Sequence, residues 1–346
     1  MSYVRRLIGP VVVLVVLCIL PSLTTVTIPG IFDSPLGAPG TMQILTIALI
    51  YASLAMTFDL MFGYTGMMSF GHTMWFAMGA YFPAVIMTQK GMSIVPAVVL
   101  SAVAVAILSA LIGAIALRTF GIAFAMVTLA FAQAFYVFVH SNPTGKFGGD
   151  EGVRFPIDKV PDAFATVVDI KNIYWVALAL LVVTYLCLRQ ATGSRAGRVW
   201  QALRENPLRV EMVGLRSYPF RLVSFVLAAV LASLCGSVYL LVSKSAQQGI
   251  ADSDFALLIL VMVVLGGSGS LWGAALGGFV YAIASLRLGA VSTSGLAHSS
   301  VPHWITGPLT QPQFYVGVGV VLLVVFAPQG LAGLISSIGN LFRRAK

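Results

Sequence analysis

The sequence predicts an all-α polytopic membrane protein, with about 8–10 transmembrane helices and both termini in the cytoplasm. Three observations carry this. Of the 346 residues, 59% are hydrophobic and 9% are charged, against roughly 25% charged in soluble domains. A soluble fold of this size has too much surface to hide that apolar content. The apolar residues also come in long unbroken runs. Lipid admits only helices or closed barrels, and a barrel would alternate apolar and polar positions. Finally, the basic residues collect in alternate connecting segments, as the positive-inside rule requires.

A spanning helix needs about 20 apolar residues. The runs that qualify are 7–23, 41–62, 67–87, 92–117, 120–140, 172–188, 220–243, 254–265 paired with 271–287, and 313–327. The first follows Arg5 and Arg6. It is kept as a helix because no small-residue cleavage site follows it. Two pairs are interrupted, at Gly63-Tyr64-Thr65-Gly66 and at Gly266-Gly267-Ser268-Gly269-Ser270. Each pair reads as two spans or as a re-entrant loop, and either form returns the chain to the side it left.

With the N-terminus inside, the cytoplasmic face holds Arg5, Arg6, Arg118, Arg189, Arg195, Arg198, Arg204, Arg209, Arg216, Arg221, Arg343, Arg344 and Lys346, with only Glu205 and Glu211 against them. This asymmetry accounts for the net charge of +9 without a nucleic-acid partner. The whole chain, 1–346, reads as one transmembrane domain with two long loops: 141–171 outside and 189–219 inside.

In the inner loop, Ser194 is a good N-cap. Ala196, Val199, Trp200 and Leu203 then recur on one helical face. Asn206-Pro207 ends that helix, and a second short turn runs from Pro207 to Gly214. Such an amphipathic helix lies in the headgroups or docks on a partner protein. The residues alone favour neither.

The two Gly-interrupted segments have the character of a substrate path. Asp59, Gly66, Ser69, Gly71, His72, Gly267, Ser268 and Gly269 are the candidate lining residues. Asp59 is an ionisable residue inside a span, a functional candidate by default. A structural Asp59–His72 contact is the expectation, since no other span carries an acidic residue inward of its first position for a proton relay. Gly273-x-x-x-Gly277 and Ala228-x-x-x-Ala232-x-x-x-Gly236 read as helix-packing stripes. Cys18, Cys187 and Cys235 show no metal-ligand or disulfide spacing, and the four histidines form no H-x-x-x-H pair. No nucleophile–base pair or Walker-type phosphate loop is present. An enzyme is therefore disfavoured, and no cofactor is expected on this chain.

Four blocks carry a family resemblance. They are Gly63-Tyr64-Thr65-Gly66 with Ser69-Phe70-Gly71-His72; Ala116-Leu117-Arg118 with Gly121 to Phe131; Ala202-Leu203-Arg204-Glu205-Asn206 with Glu211 and Gly214; and Val264 to Gly273 with Pro328-Gln329-Gly330-Leu331. Through these the chain resembles the LivM-type permease subunits of branched-chain amino acid ABC importers. The resemblance implies the permease fold of that importer class in a bacterial plasma membrane. It implies a sister LivH-type permease, two ATPase subunits of the LivG/LivF type that use ATP and Mg, and an external substrate-binding protein. It casts the inner helix as the ATPase-coupling element, with Arg198, Trp200, Leu203, Arg204, Glu205, Glu211 and Gly214 as its residues. It casts Asp150, Glu151 and Lys159 as contacts for the binding protein. Family members commonly carry Asn at the position of Asp59 and Gln at that of Met67, and related permeases serve urea, short amides or small carboxylates. A self-sufficient secondary transporter is the reading from another class.

Overall fold

A computed structural model describes residues 15–22, 35–156, 170–295, 314–315, 317–319, 321 and 330–333. Most of the expected spans 7–23 and 313–327, and Lys159, lie outside the described residues. The regular structure of the described residues is helical apart from one two-stranded ribbon. The helices are α1 (Pro39–Asp59), α2 (His72–Lys90), α3 (Ile94–Ala116), α4 (Ile122–Ser141), α5 (Ile170–Gly193), α6 (Arg195–Glu205), α7 (Pro207–Met212), α8 (Ser217–Ser243), α9 (Ser253–Gly266) and α10 (Leu271–Gly295). The ribbon pairs β1 (Val153–Arg154) antiparallel with β2 (Ser245–Ala246).

Five of the described helices are long and apolar enough to cross a membrane: α1 with its continuation to Tyr64, α3, α4, α5 and α8. α2 and the shorter apolar helices α9 and α10 fill the interruptions between them. α1 is the hub, packed against α5, α8, α9 and α10. Its most apolar stretch is 83% buried, whereas that of α3 is only 22% buried. α3 explains its own placement by spacing. Val95, Val99, Val103, Ile107, Leu111 and Ile115 face outward at every fourth residue, while Ala97, Ser101, Val105, Ser109 and Gly113 are buried at the same interval. The small face lets the backbone approach its neighbours α2 and α8 closely, and the large apolar face suits lipid.

α2 begins at His72, not at the expected residue 67. Residues 65–71 are not helical, because Gly66 takes a left-handed φ of +74°. α2 also contains Pro83, which has no N–H and leaves the carbonyl of Gly79, four residues earlier, without its helical donor. The Ser237 hydroxyl on α8 donates to that oxygen at 2.7 Å. The two helices meet closely here, since a side chain on Gly79 would strike the Ser233 backbone and one on Gly236 the Phe76 carbonyl. The Ala228–Gly236 stripe is thus a packing stripe, and Gly277 likewise abuts the Met262 carbonyl of α9. Ser237→Ala is expected to destabilise the fold by about 1–3 kcal/mol by orphaning a buried carbonyl, read as a lower thermal midpoint in detergent.

The ends of the bundle differ. At one end lie the turns after α1 and α9, the α3–α4 turn, α6 and α7. At the other lie the ribbon, the 142–152 loop and the 3₁₀ turn Gln248–Ala251.

Candidate functional site

α6 and α7 are built as their caps dictate. The Ser194 hydroxyl accepts from the Gly197 N–H at 3.2 Å. The Asn206 carboxamide oxygen accepts from the N–H groups of Leu208 and Arg209 at 3.0 and 3.2 Å. Asn206 thus closes α6 and opens α7 with Pro207 in its first turn. Gly214, at φ +90°, ends the segment.

The apolar face of α6 turns into the bundle. Trp200 and Leu203 are buried at 1% and 2% exposure, and the Trp200 indole N–H donates to the Phe220 carbonyl at 2.8 Å. These two candidate coupling residues anchor the helix to its own chain. Arg198 and Glu205 are exposed. Glu211 accepts from the Ser217 hydroxyl at 2.6 Å. Around Glu211, α7 and the turn after it expose Leu208, Met212 and Val213, each at 70% or more. These apolar residues escape sequence reading because a six-residue helix has too little period to show its outward face.

Arg204 joins α6 to both Gly-interrupted turns. Its Nη1 donates to the Gly63 carbonyl, and its stem lies against Gly66. The same Nη1 would be 2.7 Å from a Cβ at Gly269. Between the turns, the Asp59 carboxylate accepts from the Gly269 N–H at 2.8 Å. A five-residue π-helical turn, Leu60–Tyr64, carries the chain from Asp59 to Gly66 and is closed by the Thr65 hydroxyl donating to the Leu60 carbonyl at 2.8 Å. The carboxylate occupies the space that a side chain at Gly63 would take. Gly63 is therefore bare so that Asp59 can reach across to Gly269. Gly330 packs on the backbone of Gly266 and Gly267 from the other side.

The path candidates are thus partly gathered. Asp59, Gly66 and Gly269 meet at the Arg204 junction, with Gly267 buried beside them and Ser268 exposed. Ser69 is fully buried. Gly71 sits against Thr128 of α4. His72 does not contact Asp59 as expected. Its Nε2 is 2.9 Å from the Thr57 hydroxyl, and its ring meets Phe58 edge-on with 5.5 Å between centroids. α1 places Thr57 and Asp59 two residues apart, about 200° around the helix, so the two groups point to different neighbours. On the α5 side of the junction an open cleft of about 880 Å³ is lined by Tyr64, Tyr185, Arg189, Gln201, Ser270 and Trp272, among others. Among the described residues, no group of three or more His, Cys, Asp or Glu could hold a metal ion.

Asp59 can be tested by its acceptor role. Asp59→Asn retains an oxygen for Gly269 and is expected to behave nearly as wild type. Asp59→Leu leaves the N–H unpartnered at a cost of about 1–3 kcal/mol. The thermal midpoints of the two purified variants check this.

At the opposite end, Asp150 Oδ1 is 2.9 Å from His140 Nδ1 and accepts from Gln248 Nε2 at 3.3 Å. The His140 ring stacks on Tyr136 with 6.1 Å between centroids. Asp150 and Glu151 are both exposed on this face.

A sequence profile described as the branched-chain amino acid transport system / permease component matches residues 40–327. The chain is 27% identical over 262 residues to the high-affinity branched-chain amino acid transport system permease protein LivM of Escherichia coli (strain K12), covering 67% of this chain and 59% of that protein. It is 26% identical over 259 residues to the permease protein BraD of Pseudomonas aeruginosa, covering 69% of this chain and 82% of that protein. A shorter match, 26% over 161 residues, links it to the probable permease LivM of Methanocaldococcus jannaschii, covering 45% of each chain. The matched part thus spans about 59% of the length of the Escherichia coli and Salmonella typhimurium relatives. No solved structure matches the chain. With a profile match across most of its length and the Gly-interrupted turns inside that match, the chain belongs to the family of branched-chain amino acid transport system permease components.

Proposed function

We propose that the chain is a permease subunit of an ATP-driven importer that translocates branched-chain or other apolar amino acids across a bacterial plasma membrane. The observation that carries this reading is the Arg204 junction. A short helix outside the spans is tied by one charged side chain to both interrupted segments within them. In this reading a partner ATPase docks on α7, where Leu208, Met212 and Val213 stand exposed beside Arg209 and Glu211. Movement of α7 carries α6, and Arg204 carries it to Gly63 and Gly269. ATP and Mg belong to two ATPase subunits, and a sister permease completes the pathway. An external binding protein delivers the substrate to the opposite face, where Asp150 and Glu151 are exposed. This places α6 and α7 in the cytoplasm, in agreement with their arginines.

The relatives' names, as branched-chain amino acid transport system permease proteins, support amino acids over urea, short amides or small carboxylates. The test is to purify the chain with its co-encoded partners and identify the ligand of the associated binding protein. Leucine, isoleucine or valine bound there, and stimulating ATP hydrolysis by the complex, is the expected result. A urea- or amide-loaded binding protein as the sole stimulator would replace the substrate assignment. Absence of stimulation by any loaded binding protein would remove the importer reading.

A further inference from the structure

We propose that the cavity between the α3–α4 turn, the start of α8 and α6 binds the phosphate group of an anionic phospholipid, with Arg221 as the recognising cation. This rests on the membrane reading of the chain but not on amino-acid transport.

The cavity measures about 460 Å³, within the range of small-ligand sites. Its lining is mostly apolar and includes Phe120, Ile122 and Met126, together with two cations, Arg204 and Arg221. Arg221 is 7% exposed. Its guanidinium carbon lies 4.7 Å from the centre of the Phe120 ring, and its Nε has no hydrogen-bond partner among the described residues. Among those residues, no carboxylate forms an ion pair with it. Glu211, the acidic group that acts on it through space, is held by the Ser217 hydroxyl. A cation–π contact alone offsets little of the cost of burying a guanidinium. An arginine that could extend to water normally does so. This one is held over a ring inside a cavity.

Position and shape select the ligand. Arg221 is the fifth residue of α8, about 6 Å inside its start at 1.5 Å per residue. An arginine that close to the end of a spanning helix is within reach of the headgroup layer of one leaflet, roughly 5–7 Å thick. Phe120, Ile122 and Met126 are exposed at 60% or more, so an apolar surface leads outward from the cation as acyl chains require. Basic pockets between spans on the cytoplasmic side are the usual sites for such headgroups. Free phosphate offers the same anion but leaves the apolar wall without a partner.

The test uses the full chain, delipidated in mild detergent and offered phosphatidylglycerol and phosphatidylcholine of identical acyl chains, with retained lipid counted by native mass spectrometry. The expected result is a preference for phosphatidylglycerol of at least about fivefold. That preference is lost in Arg221→Gln and kept in Arg221→Lys. Ala125→Phe fills the cavity while leaving every arginine in place, and it decides the question should the glutamine variant not fold. It is expected to lose the preference as well. Preference retained in a folded Arg221→Gln, or in a folded Ala125→Phe, overturns the proposal. So does displacement of the lipid by excess inorganic phosphate with no headgroup preference, which would mark a soluble-anion site. Loss of partner ATPase binding in Arg221→Gln with unchanged lipid retention would assign Arg221 to the partner instead. Failure of amino-acid uptake alone would touch the transport reading and leave this one standing.

Discussion

Arg204→Glu is expected to abolish substrate-stimulated ATP hydrolysis while leaving the spans folded and the complex assembled. The wild-type guanidinium donates to the Gly63 carbonyl and lies against Gly269, while its stem lies against Gly66. A hydrogen bond from a charged donor is worth about 1.5–3 kcal/mol. Its loss shifts the equilibrium between engaged and released turns by roughly 10–100-fold. Reversal of charge adds repulsion from the Asp59 carboxylate, which sits across the same junction. Arg204→Lys keeps the charge but not the planar fork, and should fall between the two. Glu205→Arg, one residue on and also exposed, tests the side of the helix turned away from the junction and should weaken ATPase docking. The measurement is ATPase rate with and without loaded binding protein, beside a count of subunits in the purified complex. Full stimulation in Arg204→Glu would mean that α6 does not transmit through this side chain.

Gly63→Val is expected to be the most damaging single substitution at the junction. Any Cβ there would overlap both the Asp59 carboxylate and the Gly269 backbone. Overpacking costs of 1–3 kcal/mol arise when side chains can yield. Here one of the two neighbours is backbone, so a cost of about 3 kcal/mol or more is expected. The Asp59–Gly269 hydrogen bond would also be displaced. Folded yield by fluorescence-detected size exclusion should fall sharply. Gly40→Val is the matched control, since a Cβ at Gly40 meets nothing within 4 Å. Equal yields for the two variants would show that the turns after α1 and α9 do not meet as described.

What the sequence made legible follows from how local each signal is. The Ser194 cap, the break at Asn206-Pro207 and the stop at Gly214 are set by neighbouring residues, and all three occur. The apolar runs locate α1, α3, α4, α5 and α8 to within a few residues because lipid demands length and continuity. The two interruptions were visible as glycine runs. That they touch each other was not, because 210 residues separate Asp59 from Gly269. The inward aim of Arg204 was hidden for a related reason. On the helix it falls off the apolar face, and only the glycines brought beside it by α1 and α9 make room for it. The expected Asp59–His72 contact failed since proximity along the chain says nothing about direction around α1. Thr57, not Asp59, faces His72. Pro83 was visible, but the Ser237 hydroxyl that answers it comes from a helix 158 positions away.

In the proposed function, this chain carries amino acids only when partner ATP hydrolysis moves α6 and the junction it holds. This is tested most directly by uptake of radiolabelled leucine into proteoliposomes containing the complex. Binding protein is supplied outside, ATP and Mg inside, and no ion gradient is imposed. Uptake is expected to require lumenal ATP and loaded binding protein and to disappear in Arg204→Glu. Uptake by this chain alone, driven by an ion gradient and indifferent to ATP, would contradict this reading.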